Sequence, residues 1–393
     1  MKINKNYLNL EDSYFFNAIS KKVTAFAEQN PNANIIRMGI GDVTRPLVPA
    51  VISAINAATA EMSEAATFRG YGAEQGYPFL RQAIASYYAE KNIDIDINEI
   101  YIGDGAKSDV GNILDLFDVD NTVIIPDPVY PAYLDANIMA GRKIVYIEGN
   151  EENNFLPMPQ ADMKADIIYM CSPNNPSGAV YTPEQLASWV EYAIDQKAII
   201  LFDAAYETFI QDKNLYSSIF QVPNARKCAI EFCSLSKKAG FTGTRCGYTI
   251  VPKELQFDGI SLDKLWLRRQ TTKFNGVAYI IQRGAEAVFS NEGRLQTNAD
   301  AAYYMENARL IREALSELSI WHTGGKNSPY IWLKCPKNTT SWQFFDYLLE
   351  NANVVGTPGA GFGAKGEGFF RLSAFNSKEN VVLAMERITD TIN

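Results

Sequence analysis

The 393-residue chain has one histidine and no closely spaced pair of cysteines. His322 has no second histidine with which to share a metal or a nucleophile, which removes most histidine-based catalytic schemes. The five cysteines are odd in number and never spaced as C-x-x-C, so the sequence indicates neither a disulfide framework nor a zinc site. We therefore expect reduced, mostly buried thiols and no metal.

The chain also lacks long apolar runs and an excess of positive charge. Residues 1–7 contain no apolar h-region, and no later apolar run is long enough to span a membrane. The net charge of -9 argues against a nucleic-acid surface, because such a surface needs clustered lysine and arginine. These absences predict a cytoplasmic protein that binds neither nucleic acid nor membrane.

What the chain does contain is an alternation of apolar strands and helices. Strands are predicted near residues 35–40, 99–102, 122–126, 143–147, 166–171, 198–202 and 228–233. Apolar strands separated by helices predict a parallel sheet that is covered on both faces. Ligands of such sheets bind at the carboxyl ends of the strands, and polar or turn residues lie at or just after five of the predicted ends: Asp104, Pro126, Asn175, Asp203 and Ser234.

The pattern changes beyond Asn275. Long helices are predicted near 276–291 and 295–318, and short strands near 329–334 and 368–373. This change predicts a second, α+β domain. We divide the chain into an N-terminal arm over residues 1–40, a large domain over 41–285 and a small domain over 286–393, and expect the arm to pack with the small domain.

Residues 233–248, CSLSKKAGFTGTRCGY, combine a lysine, small hydroxyl residues, a glycine-rich turn and an arginine. This combination is typical of a Schiff-base lysine beside a phosphate pocket. Lys237 is the candidate, and Lys238 is the competing choice. Hydroxyl donors and a fork-shaped cation suited to phosphate oxygens lie on either side of it: Ser234, Ser236 and Arg245.

Six motifs resemble those of one enzyme family in their order and spacing. They are 105–107 (GAK), 127–131 (DPVYP), 172–178 (SPNNPSG), 203–206 (DAAY), 234–237 (SLSK) and 370–373 (FRLS). Together they resemble the fold-type I pyridoxal-phosphate enzymes, specifically the class I/II aminotransferases. The resemblance implies an α/β fold with a mostly parallel seven-stranded sheet covered by helices, a smaller α+β domain, and pyridoxal 5'-phosphate as cofactor.

The resemblance also implies roles for single residues. Lys237 would bind the cofactor covalently and move the substrate proton, and Arg245 lies at the eight-residue spacing expected of the phosphate-binding arginine. Asp203 would pair with the pyridine nitrogen, while Tyr206 and Asn175 would bind the phenolic oxygen. The other implied cofactor contacts are the ring-stacking Tyr130, with Tyr71, Ala106, Lys107, Ser234, Ser236 and Asn275.

Within this class, residues 69–76, 103–107, 172–178 and 274–276 resemble the LL-diaminopimelate aminotransferases. That subgroup moves an amino group from glutamate to tetrahydrodipicolinate in lysine and peptidoglycan synthesis. The resemblance implies a homodimer in which loop residues of one subunit reach the neighbouring site. The implied substrate-binding residues are Tyr14, Gly41, Glu74, Lys107, Tyr130, Asn175, Asn275 and Arg371, of which Arg371 would bind the α-carboxylate.

Three other functions stay open at this point. The first is an aminotransferase for another amino acid, of the aromatic, aspartate or alanine type. The second is a pyridoxal-phosphate-dependent lyase, since the fold does not choose among the bond cleavages that the cofactor permits. The third is a non-catalytic regulator, which the full set of catalytic and cofactor residues argues against because a binding module needs no electron sink.

Overall fold

The computed structural model describes residues 1–10, 15–160 and 162–392. Its helices are α1 (Phe15–Gln29), α2 (Pro49–Glu61), α3 (Pro78–Ala89), α4 (Ala106–Asn112), α5 (Pro131–Ala140), α6 (Pro183–Gln196), α7 (Leu235–Ala239), α8 (Leu262–Lys273), α9 (Tyr279–Val288), α10 (Asn291–Glu317), α11 (Ser341–Ala352) and α12 (Lys378–Ile392). Its strands are β1 (Ile36–Arg37), β2 (Ile100–Gly103), β3 (Thr122–Asp127), β4 (Lys143–Glu148), β5 (Ile167–Cys171), β6 (Ile199–Asp203), β7 (Ala229–Ser234), β8 (Gly247–Ile250), β9 (Gln256–Phe257), β10 (Ile260–Ser261), β11 (His322–Gly324), β12 (Tyr330–Lys334), β13 (Val354–Val355), β14 (Thr357–Pro358) and β15 (Phe369–Ser373).

The large sheet has seven strands in the order β2-β8-β7-β6-β5-β3-β4. Strands β3 to β7 pair in parallel, whereas β8 runs antiparallel to both β7 and β2. The prediction of a mostly parallel seven-stranded α/β sheet is therefore confirmed. Strand β8 was not among the predicted strands, because four residues directly after a glycine-rich turn are too few to show a periodicity.

The central strands of this sheet are buried on both faces. In β6, Ile199 and Leu201 pack into one apolar cluster, while Ile200 and Phe202 pack into the other. Trp266 of α8 belongs to the first cluster and Trp189 of α6 to the second, so helices cover both faces. Continuous apolar runs are stable in this position because alternate side chains leave water on opposite sides of the sheet.

Helix starts fix two of the predicted site residues at the carboxyl edge of the sheet. Tyr130 is the extended residue before α5, whose first helical position is Pro131. Ser234 ends β7 and caps α7, where its side chain accepts a hydrogen bond from the Ser236 amide at 3.1 Å. Proline at a first helical position and serine at an N-cap both favour starting a helix there.

The C-terminal part contains an antiparallel sheet in the order β11-β12-β15-β14. The N-terminal segment contacts the C-terminal part outside this sheet: β1 pairs in parallel with β13, and Lys22 Nζ of α1 lies 2.6 Å from Asp346 Oδ1 of α11. Strand β1 is shorter than predicted, since only two residues meet β13. The division into segments 1–40, 41–285 and 286–393 stays a prediction.

The helix predicted over 276–291 begins later than expected. Gly276 has φ +85°, outside the right-handed helical region, and α9 starts three residues further on at Tyr279.

Other features of the described ranges concern membranes, thiols and metals. No helix in them is long and apolar enough to cross a membrane. The five cysteines are buried and free of disulfides, so they pack as small apolar side chains. No group of three or more histidine, cysteine, aspartate or glutamate side chains within those ranges is placed to hold a metal ion.

A close backbone contact joins the two sheets at Gly178. This residue has φ +67°, and a Cβ there would lie 2.2 Å from the Tyr330 carbonyl oxygen of β12 and 2.9 Å from the Gly324 Cα. Glycine is required for two reasons, its left-handed conformation and the absence of space for a side chain. The loop that carries Asn175 is thereby packed directly against β12.

Gly178→Ala should destabilise the fold more than Gly259→Ala, which is a matched control. Gly259 has a similar φ of +78°, but a Cβ there meets nothing within 4 Å. The control should lose about 1 kcal/mol from the strained conformation alone. Gly178→Ala should lose about 3 kcal/mol, because overpacking adds to that strain. Urea unfolding curves measure both losses, and equal losses would contradict the contact.

Candidate active site

A cavity of about 280 Å³ opens at the carboxyl edge of the seven-stranded sheet. Ten residues predicted from the sequence line it: Ala106, Lys107, Tyr130, Asn175, Asp203, Tyr206, Ser234, Ser236, Lys237 and Arg245. The lining also includes residues that the sequence analysis did not single out, among them Asp42, Tyr133 and Cys171. The topology explains this convergence, because parallel strands β3, β5, β6 and β7 all end at the same edge.

Lys237 enters this cavity from the short helix α7. Its side chain is 15% exposed, and its Nζ lies 4.0 Å from Asp42 Oδ1. Burial lowers the pKa of Lys237 to about 8, with a further lowering from Arg245 and Arg371 that the Asp42 carboxylate opposes. A larger fraction of this amine is therefore neutral near pH 7 than for an ordinary lysine, as a nucleophile or proton acceptor requires.

Lys238 points to another part of the structure. Its Nζ donates to Glu207 Oε1 at 2.7 Å and to the Tyr87 hydroxyl at 2.9 Å. Burial opposes the charge on Glu207, but Lys238 and Lys91 outweigh burial and lower the pKa of that carboxyl to about 2. Because Lys238 is held in this buried ion pair and is not part of the cavity lining, the geometry favours Lys237 over its neighbour.

Arg245 forms the cationic end of the cavity. Its guanidinium donates to the Ser236 hydroxyl at 3.2 Å, and its backbone adopts φ +62°, which is uncommon for a residue with a side chain. Gly105 leaves room for it, since a Cβ there would lie 2.3 Å from Arg245 Nη2. The amides of Ala106 and Lys107 open α4, where no carbonyl of the same helix can accept them. Hydroxyls, a guanidinium and the amides at the start of a helix suit a phosphate group.

Asp203 forms the acidic end. It is 8% exposed, and its carboxylate accepts hydrogen bonds from the Ala205 amide at 2.9 Å and the Tyr133 hydroxyl at 2.5 Å. Burial raises the pKa of the Asp203 carboxyl above its usual value, and the hydrogen bonds from Tyr133 and Ala205 limit that rise. Tyr206 is three residues further on, and burial raises the pKa of its phenol well above the usual value. The Tyr206 hydroxyl lies 2.9 Å from that of Tyr330 on β12.

Arg371 of β15 lies beside the cavity and is 1% exposed. Its guanidinium donates to Asn175 Oδ1 at 2.6 Å and to the Gly39 carbonyl at 2.9 Å, while its Nε has no hydrogen-bond partner among the described residues. A Cβ on Gly41 would lie 2.9 Å from the Tyr330 hydroxyl, so only a small residue fits next to this group. A buried guanidinium with an unused N–H is suited to a carboxylate ligand.

Five of the predicted residues that the structure describes are absent from the lining of the cavity: Gly41, Tyr71, Glu74, Asn275 and Arg371. Gly41 and Arg371 lie close to each other, since a Cβ on Gly41 would be 4.0 Å from Arg371 Nη2. Tyr71 is 93% exposed, and Glu74 and Asn275 lie with it in two adjacent loops, where a Cβ on Gly276 would be 3.8 Å from the Glu74 Cα. Tyr14 falls outside the described residues. The structure therefore brings together ten of the predicted site residues of one chain and leaves Tyr71, Glu74 and Asn275 at a separate surface.

Residues that the sequence analysis missed include Asp42, Tyr133 and Tyr330. Tyr133 is one helical turn after Tyr130, so helical spacing offered a signal for it. Tyr330 is more than a hundred residues from Tyr206, and only tertiary packing brings the two hydroxyls together. Asp42 follows the predicted Gly41 directly, but a single acid in a turn-rich segment carries no specific signal.

The sequence pattern of the aminotransferase class I and II family matches residues 33–388. The chain belongs to this family of aminotransferases. Two relatives named LL-diaminopimelate aminotransferase are each 52% identical to it. The match to the Prochlorococcus marinus protein covers 99% of this chain and 99% of that protein. The match to the Lachnospira eligens protein covers 98% of this chain and 99% of that protein. The solved structure of the Chlamydomonas reinhardtii L,L-diaminopimelate aminotransferase is 39% identical, with a TM-score of 0.95 and coverage of 100% of this chain and 99% of that chain.

Enzymes of this family are pyridoxal-phosphate-dependent transaminases that act on amino acids and keto acids. The donor set described above fits that cofactor. Arg245 and the two serines match its phosphate group, and the buried Asp203 carboxylate matches a protonated ring nitrogen. The neutral fraction of the Lys237 amine matches its aldehyde. The cavity therefore offers chemically suited groups for the phosphate, the ring nitrogen and the aldehyde of pyridoxal phosphate.

The reaction of Lys237 with pyridoxal phosphate in the cofactor-free aminotransferase should follow an ionisation with a midpoint of about 8. Borohydride trapping followed by peptide mass spectrometry measures the modified fraction across a pH series. Free N-acetyl-lysine, treated in parallel, corrects for ionisation of the reagent. Lys238→Arg should keep the same midpoint, and a midpoint near the ordinary lysine value of 10.5 would contradict the effect of burial.

Proposed function

We infer that this aminotransferase is an LL-diaminopimelate:2-oxoglutarate aminotransferase. In the biosynthetic direction it converts tetrahydrodipicolinate and glutamate to LL-diaminopimelate and 2-oxoglutarate, a step of lysine and peptidoglycan synthesis. The supporting observation is 52% identity over nearly the whole chain to two relatives that bear this name. The cytoplasmic location expected from the sequence stays part of this proposal.

When bound, pyridoxal phosphate supplies an electron-accepting ring and a carbonyl carbon that carries the amino group. Ser234, Ser236 and Arg245 would hold its phosphate, together with the amides that open α4. Asp203 would keep the ring nitrogen protonated, since a buried carboxylate stabilises a cation beside it. The other pocket residues have orienting roles, with Tyr130 stacked on the ring and Asn175 and Tyr206 at the phenolic oxygen.

Lys237 is the group that moves the proton. Its Nζ sits in the cavity with a pKa of about 8, so it can take up and return a proton near neutral pH. Arg371 would bind the substrate α-carboxylate and so orient the Cα–H bond towards that amine. The Arg371 guanidinium also contacts Asn175, which links the carboxylate site to the ring-binding loop.

Charged residues bind the end of the substrate that is distant from the reacting amino group. Diaminopimelate carries a distal ammonium and a distal carboxylate, which we assign to Glu74 and Lys107 respectively. Lys107 lines the cavity of its own chain, whereas Glu74 does not. A homodimer in which Tyr71, Glu74 and Asn275 reach the neighbouring cavity accounts for this separation, and for a tyrosine that is 93% exposed in one chain.

The purified enzyme, supplied with pyridoxal phosphate, should form glutamate from 2-oxoglutarate and LL-diaminopimelate. Each turnover requires the keto acid, because the amino group must leave on an acceptor. A coupled glutamate assay measures the product. A lyase would consume diaminopimelate without 2-oxoglutarate, and good turnover of aromatic, aspartate or alanine substrates with no glutamate from diaminopimelate would favour the other aminotransferases.

Glu74→Gln should reduce kcat/KM for diaminopimelate, and unchanged kinetics would remove that residue from the proposal.

Arg371→Lys should raise KM for every amino-acid substrate. A lysine cannot reproduce the paired N–H donors of a guanidinium, and losing one charge-assisted hydrogen bond corresponds to about tenfold in affinity. Arg309→Lys is a matched control, because Arg309 forms exposed ion pairs with Glu306 and Glu313 on α10. Steady-state kinetics with two different amino acids measure the effect, and the same KM in both variants would refute the role of Arg371.

A further inference from the structure

The hydroxyl of Tyr133 is bonded to the carboxylate that the cofactor ring requires. Tyr133 Oη donates to Asp203 Oδ2 at 2.5 Å, and the Ala205 amide donates to Asp203 Oδ1 at 2.9 Å. Each carboxylate oxygen therefore has one donor from the protein. The Ala205 donor belongs to the backbone two residues away, so Tyr133 is the donor that comes from another element, helix α5.

Packing holds the Tyr133 ring in place. The ring is 2% exposed and stacks on Tyr169 of β5 with centroids 4.9 Å apart and an interplanar angle of 15°. Tyr130, one turn earlier on the chain, meets it edge-on at 5.6 Å. Asn137 donates to the Tyr133 carbonyl at 2.8 Å and to the Tyr169 hydroxyl at 3.2 Å. The hydroxyl of Tyr133 therefore has one fixed direction, towards Asp203.

The chemistry of the surrounding groups makes Tyr133 a donor. Burial, and after it the Asp203 carboxylate, raise the pKa of the Tyr133 phenol well above its usual value, so the phenol keeps its proton. Cys171 at the end of β5 also faces Asp203, and burial together with that carboxylate keeps its thiol neutral. Lys237 lines the same cavity, and its Nζ lies 4.0 Å from the carboxylate of Asp42.

We propose that Tyr133 is a positioning residue, which keeps the Asp203 carboxylate ionised and aimed at the ring nitrogen of pyridoxal phosphate. This inference rests on the proposed function, because it needs the cofactor in this cavity. Tyr130 and Tyr133 then have different roles. Tyr130 contacts the face of the cofactor ring, and Tyr133 orients the Asp203 carboxylate that faces the ring nitrogen. Tyr133 itself need not touch the substrate.

The test compares Tyr133→Phe with Tyr169→Phe. Both changes remove one buried phenolic hydroxyl from the same stacked pair, but only the first removes a donor to Asp203. Tyr133→Phe should raise the dissociation constant for pyridoxal phosphate about tenfold, the usual effect of losing a hydrogen bond to a charged group. Absorbance titration of the cofactor-free protein measures this constant, and Tyr169→Phe should stay near the wild-type value.

Tyr133→Phe should also shift the pH at which the visible absorption of the bound cofactor changes. When Asp203 is less ionised, the ring nitrogen of the cofactor is protonated less often. The ring then withdraws less electron density from the nitrogen atom that Lys237 supplies. That nitrogen then keeps its proton to higher pH, so the midpoint should rise. We expect kcat to fall while KM for the amino acid changes little, because Arg371 is untouched.

A double-mutant comparison separates positioning from packing. In an Asp203→Ala background, Tyr133→Phe should cause no further loss of cofactor affinity, since the carboxylate is already gone. An equal loss in both backgrounds, or wild-type affinity and pH midpoint in Tyr133→Phe, would overturn the inference. Thermal unfolding of the cofactor-free variants shows that each is folded. Failure of the wild-type protein to bind pyridoxal phosphate would instead overturn the proposed function.

Discussion

The cost of burying charge at the carboxyl edge of the seven-stranded sheet is the constraint on which the rest of the structure depends. An isolated charge in such a place is strongly unfavourable, so each one needs a partner or a hydrogen-bond donor. Asp203 has the Tyr133 hydroxyl and the Ala205 amide, Glu207 has two lysines, and Arg371 has Asn175. In the site, each of these buried charges is therefore stabilised by a neighbouring hydrogen-bond donor, acceptor or opposite charge.

The same constraint separates two adjacent lysines. Lys238 compensates the buried carboxylate of Glu207 at 2.7 Å, whereas Lys237 has one acidic neighbour at 4.0 Å and a lowered pKa. One lysine therefore serves the fold, and the other is available for chemistry. A lysine that is half neutral near pH 8 can act both as a nucleophile and as a proton carrier.

The two sheets meet where the substrate carboxylate is expected. Gly178 packs against the Tyr330 carbonyl, the Tyr330 hydroxyl contacts that of Tyr206, and Arg371 of β15 contacts Asn175. The loop that carries Asn175 and strand β15 are thus held together by direct contacts, so a shift of the small sheet would move both. The position of Arg371 relative to Lys237 depends on this packing and not on any single segment of the chain.

The sequence by itself determined the mostly parallel sheet and ten of the residues that line the cavity. These follow from local patterns: apolar runs, turn residues, and contiguous motifs such as the one around Lys237. Helices α7, α8, α11 and α12 and the short β8 were not predicted, and Gly276, with its positive φ, lies before the start of α9. Only the tertiary structure decided that Lys238 turns away to Glu207, that Tyr133 holds Asp203 and that Tyr330 meets Tyr206, because each contact joins residues distant along the chain.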